Sequence, residues 1–366
     1  MNRKKKILLI GPFPPPIGGD TVLTRDLLRS RQWREKDLEV VTVNTSHSGG
    51  VRLPETRISL SDLARAARVL FQVTMRLPGS RAVLFWSNRR FLCTVGTAVI
   101  YLCNLFGKPV LVKAFGGSLG KRIKRMSRRR RKIVTGMLKR CRYVLPETGE
   151  LTRELKEDLG IPSSQVRMLP NFLPQRFFEG DIPENRAGRF GGRAIFLGQI
   201  KKEKGIFAII RALLDTPQYS CDFYGPVAAR DSEEFKESLA GAENLQYRGI
   251  ASPEEVPELI RMHDVLLLPT WHSGEGYPAV ILQAFACGTA VIASDWISIP
   301  DMIGENQRGI LIPVKDPDAL RGAMDELSSD VELRKSIIEN GRAYAQRYSE
   351  EKIIGDILIS DLLAEY

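Results

Sequence analysis

Short apolar runs alternate with longer stretches of helical periodicity along the whole chain. In the first half, residues 6–10, 39–43, 83–86, 110–113, 143–145 and 166–169 read as strands. In the second half, residues 194–197, 221–224, 245–247, 265–268, 290–293 and 310–312 do so. Between them lie helical patterns such as 206–214 and 253–262. Strands this apolar, alternating with helices, predict α/β domains with parallel sheets covered on both faces. Two such sets predict two doubly wound domains with a cleft between them, and ligands outside the carboxyl ends of the strands. The most apolar stretch, 91–106, is too short to span a membrane and reads as a buried core helix. The opening Arg3-Lys4-Lys5-Lys6 resembles the start of a secretory signal. Its apolar run is only Ile7 to Ile10 before Gly11-Pro12, so a buried strand is expected instead.

Charge sharpens the division. The net charge of +11 hides 34 basic against 12 acidic residues over 1–172, a net of +22, and a net of −11 over the rest. The texture also changes near Pro170-Asn171, and the following stretch is rich in Pro, Gly and polar residues. The expected boundaries are therefore a first domain at 1–172, a linker at 173–192 and a second domain at 193–349. From Lys121 to Arg142 there are 12 basic residues and no acidic one, with Ile123, Met126, Ile133, Val134, Met137 and Leu138 at roughly helical spacing. A basic amphipathic helix suits an anionic membrane surface. A solvated helix face is the plain alternative. Nucleic acid has no supporting motif and is not expected as a partner. Five cysteines without a C-x-x-C exclude a disulfide scaffold and a zinc ribbon, and three histidines leave little for a metal site. A cytoplasmic, thiol-reducing setting follows.

Candidate chemistry sits where strands run into loops. After the first strand come Gly18-Gly19-Asp20 before a helix, a glycine pair that lets backbone approach an anion. After the fourth come Gly116-Gly117-Ser118. The strand at 194–197 leads into Gly198-Gln199-Ile200-Lys201-Lys202-Glu203-Lys204-Gly205, whose lysines can meet a diphosphate. The strand at 265–268 leads into a loop ending Gly274-Glu275-Gly276-Tyr277-Pro278. Pro278 is expected at the first helical position, and the free N–H groups of that helix make an anion site. Gln283 is polar amid apolar helix neighbours and needs a partner if buried.

The stretch from Glu275 to Gly288 resembles the E-x7-E signature of retaining GT-B glycosyltransferases of family four, the group 1 type. The loop from Gly198 to Gly205 resembles that family's G-R-x4-K-G loop. The Gly18-Gly19 turn, Pro170-Asn171, Tyr224-Gly225-Pro226 and Gly249 fall in the family's order. The resemblance implies two Rossmann-like domains facing across a cleft, with a final helix at about 350–366 packing back on the first. It implies a retaining, metal-independent transferase with no cofactor, moving a sugar from a nucleotide-sugar donor to a saccharide acceptor. Glu275 and Lys204 would be catalytic. The donor would meet Gly19, Gln199, Lys204, Gly225, Glu275, Gly276, Tyr277, Pro278, Ala279 and Gln283. The acceptor would meet Gly18, Gly19, Asp20, Gly116, Gly117 and Ser118. Three positions depart from the pattern. Gln199 stands for the usual Arg, Gln283 for the second Glu, and no His follows the fourth strand. A degenerate donor-binding partner and a sugar-nucleotide epimerase are the alternatives. The basic first domain points to a lipid-linked acceptor in cell-surface polysaccharide synthesis, worked on by a peripheral protein at the inner face of a membrane.

Overall fold

The computed structural model describes residues 5–15, 18–46, 60–115, 119–180, 188–304 and 307–366. Gly116, Gly117 and Ser118 lie outside these residues. The chain divides into two units, one of Met1–Phe172 with Glu350–Tyr366, the other of Leu173–Ser349.

The first unit holds a parallel sheet of β1 (Lys5–Gly11), β2 (Leu38–Asn44), β3 (Ala82–Asn88), β4 (Val110–Phe115) and β5 (Tyr143–Val144), in the order β2-β1-β3-β4-β5. Side chains alternate across a strand, and β1 shows the result. Leu8 and Ile10 enter one core, with Val69, Val73, Val99, Ile100 and Val134 from helices Leu60–Arg76, Thr97–Leu105 and Arg128–Leu138. Ile7 and Leu9 enter the other, with Leu27, Trp33, Ile354 and Leu358. The last two lie on Glu351–Leu362, a widened helix in which Ser360 Oγ donates to the Gly355 carbonyl five residues back at 2.8 Å. Ser30 Oγ donates to Glu350 Oε1 at 2.5 Å, and Arg142 pairs with Glu365 at 2.8 Å. The C-terminal segment thus completes one face of this sheet.

The second unit holds β6 (Arg193–Leu197), β7 (Ser220–Tyr224), β8 (Leu245–Gly249), β9 (Val265–Leu268), β10 (Ala290–Ser294) and β11 (Ile310–Ile312). They are parallel, in the order β11-β10-β9-β6-β7-β8, which is the 3-2-1-4-5-6 order of a dinucleotide-binding sheet. The order reverses between β6 and β9, so the loops leaving these two strands open at the switch point. The first unit has the related 2-1-3-4-5 order, with its switch between β1 and β3.

Three sequence expectations need correction. Residues 166–169 make no strand. Val166 bridges Val144, and Leu169 N–H reaches the Pro146 carbonyl at 2.9 Å. Pro146 and Pro170 lack the N–H groups that would extend this ladder. The 91–106 stretch is not one buried helix. A wide turn at Leu92–Gly96, with Thr94 at φ −126° and ψ −105°, separates Arg89–Phe91 from Thr97–Leu105. Gly96 there sits so close to Phe85 that a Cβ would lie 2.8 Å from its ring. Leu105 and Phe106 at the far end are exposed. The basic stretch is two helices, Leu119–Lys124 and Arg128–Leu138. Ile123, Val134, Met137 and Leu138 are buried and Ile133 is exposed. Within the expected linker, Leu173 and Phe177 are buried in the second unit's core, and 181–187 lie outside the described residues.

Candidate active site

The loops leaving β6 and β9 are bound to each other. The first closes in a tight turn, Lys202–Lys204, before helix Ile206–Leu213. Trp271 N–H donates to the Glu203 carbonyl at 2.9 Å, and Thr270 Oγ1 lies 3.2 Å from the same oxygen. Gly205 makes this approach possible. Its φ is +80°, and a Cβ would lie 2.1 Å from the Pro269 carbonyl oxygen. Gly225, after β7, similarly lets the Gly198 carbonyl come where a Cβ would stand, 1.9 Å away.

That closeness assembles a charged cluster. Lys204 Nζ pairs with Glu275 Oε2, which also accepts from the fully buried Thr270 Oγ1 at 3.1 Å. The Lys204 and Glu275 side chains are only 16% and 10% exposed, so screening by solvent is weak. Lys201 Nζ lies 3.3 Å from His272 Nε2. Burial, then the charges of Lys201 and Lys204, hold the His272 pKa below its ordinary value. The ring is therefore neutral at pH 7, and Nε2 accepts from the Lys201 ammonium. Burial and the Lys204 charge also lower the Lys201 pKa. Glu275 is taken by Lys204 and the nearby Glu203 by Arg230, so the Lys201 charge is in surplus, which suits a diphosphate. Lys202 and Gln199 are exposed, and the Lys202 N–H is bound to Asp231 at 3.1 Å.

The β9 loop is anchored from several sides. Trp296 Nε1 donates to the His272 carbonyl at 3.0 Å, Ser298 Oγ donates to the Gly276 carbonyl, and Lys315 Nζ stands 4.3 Å from the Trp271 ring. Tyr277 OH lies 2.7 Å from Tyr344 OH and 2.8 Å from Tyr348 OH, which are themselves 2.8 Å apart. Burial, then the bond to Tyr344, raises the Tyr277 pKa far above the usual phenol value, so it stays neutral. The helix that follows is Ala279–Ala286. Pro278 is its N-cap rather than its first residue, because ψ of 106° leaves it extended while its carbonyl accepts from Ile281 N–H at 3.1 Å. The N–H groups of Ala279 and Val280 have no acceptor within the helix. Gln283 lies on this helix, half-buried.

Residues 191–344, most of the second unit, match the family described as glycosyl transferases group 1. Over that stretch, which is less than half of the chain, the second unit is similar to the group 1 glycosyl transferases. The chain is 26% identical over 215 residues to the alpha-galactosylglucosyldiacylglycerol synthase of Streptococcus pneumoniae, covering 54% of this chain and 56% of that protein. It is 27% identical over 173 residues to the phosphatidyl-myo-inositol mannosyltransferase of Mycolicibacterium smegmatis, covering 46% and 45%. The chain therefore spans about half the length of the curated relatives it matches. The structure of Anabaena HepE in complex with UDP superposes over 99% of this chain and 100% of that one, with a TM-score of 0.72 at 16% identity. Sucrose-phosphate synthase from Thermosynechococcus elongatus gives 0.73 at 18% over the same shares. The fold is GT-B, two Rossmann-like units on one chain.

In this fold, the second unit brings Lys204, Glu275, Gly276, Tyr277, Pro278 and Ala279 to the switch-point loops. Gln283 lies further along the helix that follows, Gln199 lies on the β6 loop with Lys204, and Gly225 lies on the loop after β7. In the first unit, Gly18 N–H donates to Thr21 Oγ1 at 2.9 Å at the start of helix Gly19–Arg29. Space is open beside Gly19, where a Cβ would meet no atom within 4 Å. Asp20 turns its carboxylate onto Thr21 N–H at 2.9 Å, which is helix-end stabilisation. Sequence reasoning missed Thr270, His272 and the Tyr277–Tyr344–Tyr348 cluster. Only Thr270 had a local signal, a lone hydroxyl residue closing an apolar strand.

Proposed function

We propose that this chain is a retaining, metal-independent glycosyltransferase that moves a sugar from a nucleotide-sugar donor to a lipid-linked saccharide acceptor in cell-surface polysaccharide synthesis. The observation that carries this reading is the Lys204–Glu275 pair, flanked by Lys201 and a helix entrance at the switch point of a dinucleotide-type sheet. The donor diphosphate takes the Lys204 ammonium from Glu275, adds Lys201, and meets the Ala279 and Val280 N–H groups. These groups stabilise the negative charge that grows as the bond from the anomeric carbon to the diphosphate breaks. Glu275, released from Lys204, orients the donor sugar and balances positive charge on its ring. The acceptor oxygen bonds the anomeric carbon from the side of the leaving group, and its proton passes to the departing phosphate oxygen. Gln283 holds the ribose. The lysine pair supplies the countercharge that a divalent cation would otherwise bring, so transfer should persist in a chelator. HepE was crystallised with UDP, and the names of the Streptococcus and Mycolicibacterium relatives are those of glycolipid enzymes.

The test is calorimetric titration of UDP and GDP against uridine and guanosine. Lys204→Ala should weaken the nucleoside diphosphate about 10- to 100-fold, the worth of a charged hydrogen bond of roughly 1.5–3 kcal/mol, and leave the nucleoside unchanged. Equal weakening of both ligands would remove Lys204 from the phosphates. Gln283 favours a second reading, a degenerate donor-binding subunit, and it would be established by nucleotide binding without transfer to any acceptor.

The peripheral placement rests on the first unit. No helix among the described residues is long and apolar enough to cross a membrane. Helix Arg128–Leu138 exposes Arg128, Arg129 and Arg131 beside Ile133. Tyr101 OH of the adjacent helix donates to the Ile133 carbonyl at 3.2 Å, and that helix leads to exposed Leu105 and Phe106. Basic groups beside apolar ones suit an anionic bilayer surface. At ~1 kcal/mol per basic residue near the surface, changing Arg128, Arg129 and Arg131 together to Gln should weaken binding to phosphatidylglycerol vesicles by roughly a hundredfold. It should also flatten the salt dependence. If the native chain ignores such vesicles at low salt, the exposed face is merely solvated.

A further inference from the structure

Two arginines from different helices reach one place in the first unit. Arg122, on helix Leu119–Lys124, comes close enough to the Cys93 thiol for its charge to act on it. Arg130, on helix Arg128–Leu138, donates through Nη2 to the Cys93 carbonyl at 3.4 Å. Cys93 belongs to the wide turn Leu92–Gly96, just beyond the carboxyl end of β3. Arg89, at that same end, adds its charge to the thiol's surroundings.

The group they surround is not a counter-ion. Cys93 is 2% exposed, and burial keeps its thiol protonated against the pull of the arginines. The acidic groups packed nearby are engaged elsewhere. Glu154 accepts from Gly120 N–H at 3.0 Å, and Asp158 pairs with Lys124 at 2.8 Å. Arg122 Nε is buried and has no hydrogen-bond partner among the described residues. A guanidinium N–H withdrawn from water and left unbonded is costly, and a bound anion would remove that cost. A phosphate oxygen would satisfy it, and the planar donor fork of arginine matches phosphate geometry. The location is also chemically apt, since parallel sheets present ligands at the carboxyl ends of their strands.

We propose that Arg122 and Arg130, with Arg89, form a subsite in the first unit for a phosphate or diphosphate group carried by the acceptor. This deepens the transferase reading and rests on it for the word acceptor. The subsite itself stands on the arginines. Its chemistry fits either a saccharide linked to an isoprenoid lipid through diphosphate or a soluble phosphorylated saccharide.

The experiment titrates the full-length chain with inorganic pyrophosphate in the presence of saturating UDP, which occupies the Lys204 site, and in parallel with farnesyl diphosphate. One equivalent of pyrophosphate should bind, weakened tenfold or more in Arg122→Gln and in Arg130→Gln, with UDP affinity unchanged in both. Arg130 is exposed, so its variant carries the test if Arg122→Gln fails to fold. Similar affinities for the two ligands point to a soluble phosphorylated acceptor, and much tighter farnesyl diphosphate points to a lipid-borne one. Either result upholds the subsite. No pyrophosphate binding to the native chain, or binding untouched by both variants, overturns it. If UDP itself does not bind, the proposed function fails. Pyrophosphate titrated into Lys204→Ala, in which the Lys204 charge no longer competes for it, then still decides the subsite.

Discussion

Glu275→Gln is expected to lower turnover by roughly a hundredfold or more while leaving the chain folded, the scale seen when one preorganised electrostatic group is removed from a reacting centre. The choice of Gln follows from the geometry. The carboxylate is not a loosely placed loop group, since Lys204 and Thr270 both bond its Oε2 and it is almost buried. An alanine would strand an ammonium withdrawn from water and send the Thr270 hydroxyl to the Glu203 carbonyl, costing roughly 1–3 kcal/mol for the unsatisfied group and confusing chemistry with stability. The amide keeps the shape and an oxygen for Thr270 but removes the charge. Nucleoside diphosphate affinity should hold or rise, because Lys204 no longer has a competing carboxylate. The check is sugar transfer at saturating donor beside thermal unfolding. Native turnover in this variant would remove Glu275 from the reaction.

Gly205→Ala is expected to damage stability and donor binding together. The residue sits at φ +80°, and its new methyl would meet the Pro269 carbonyl oxygen at 2.1 Å. A left-handed alanine alone costs about 1 kcal/mol. The overlap with backbone must then be relieved by moving one of the two loops, which brings the expected loss to roughly 2–4 kcal/mol. For a unit of this size that is several degrees in Tm. The loop carrying Trp271, Thr270 and Glu275 shifts with it, so nucleoside diphosphate affinity should fall at least tenfold. Thermal unfolding and titration of UDP read both effects. An unchanged Tm with unchanged affinity would contradict the contact between the β6 and β9 loops.

Much of this protein follows from its chain read locally. An apolar run of four or five residues has one stable use in an α/β protein, a strand buried on both faces, and Ile7 to Ile10 and Val265 to Leu268 take it. Glycines in the loops that follow strands mark where backbones must come close, as Gly205 and Gly225 do. Where competing interactions were not local, the pattern misled. Periodicity alone could not show that Gly96 packs on Phe85 and divides the 91–106 stretch, nor that a break after Lys124 splits the basic run.

Tertiary structure decided the chemistry. Lys204 and Glu275 are 71 residues apart, and they meet because the strand order sets β6 beside β9. That order depends on which helices cover which face, a sum over many weak contacts that no single stretch encodes. The same packing distinguishes Lys201, held against His272, from exposed Lys202, two neighbours the sequence left equivalent. It gathers Tyr277, Tyr344 and Tyr348, and it draws Arg122 and Arg130 to Cys93. Residue types carry the capacity for charge and hydrogen bonding. Which charges are withdrawn from water together, and so interact strongly enough to matter, is settled only when distant segments close over them.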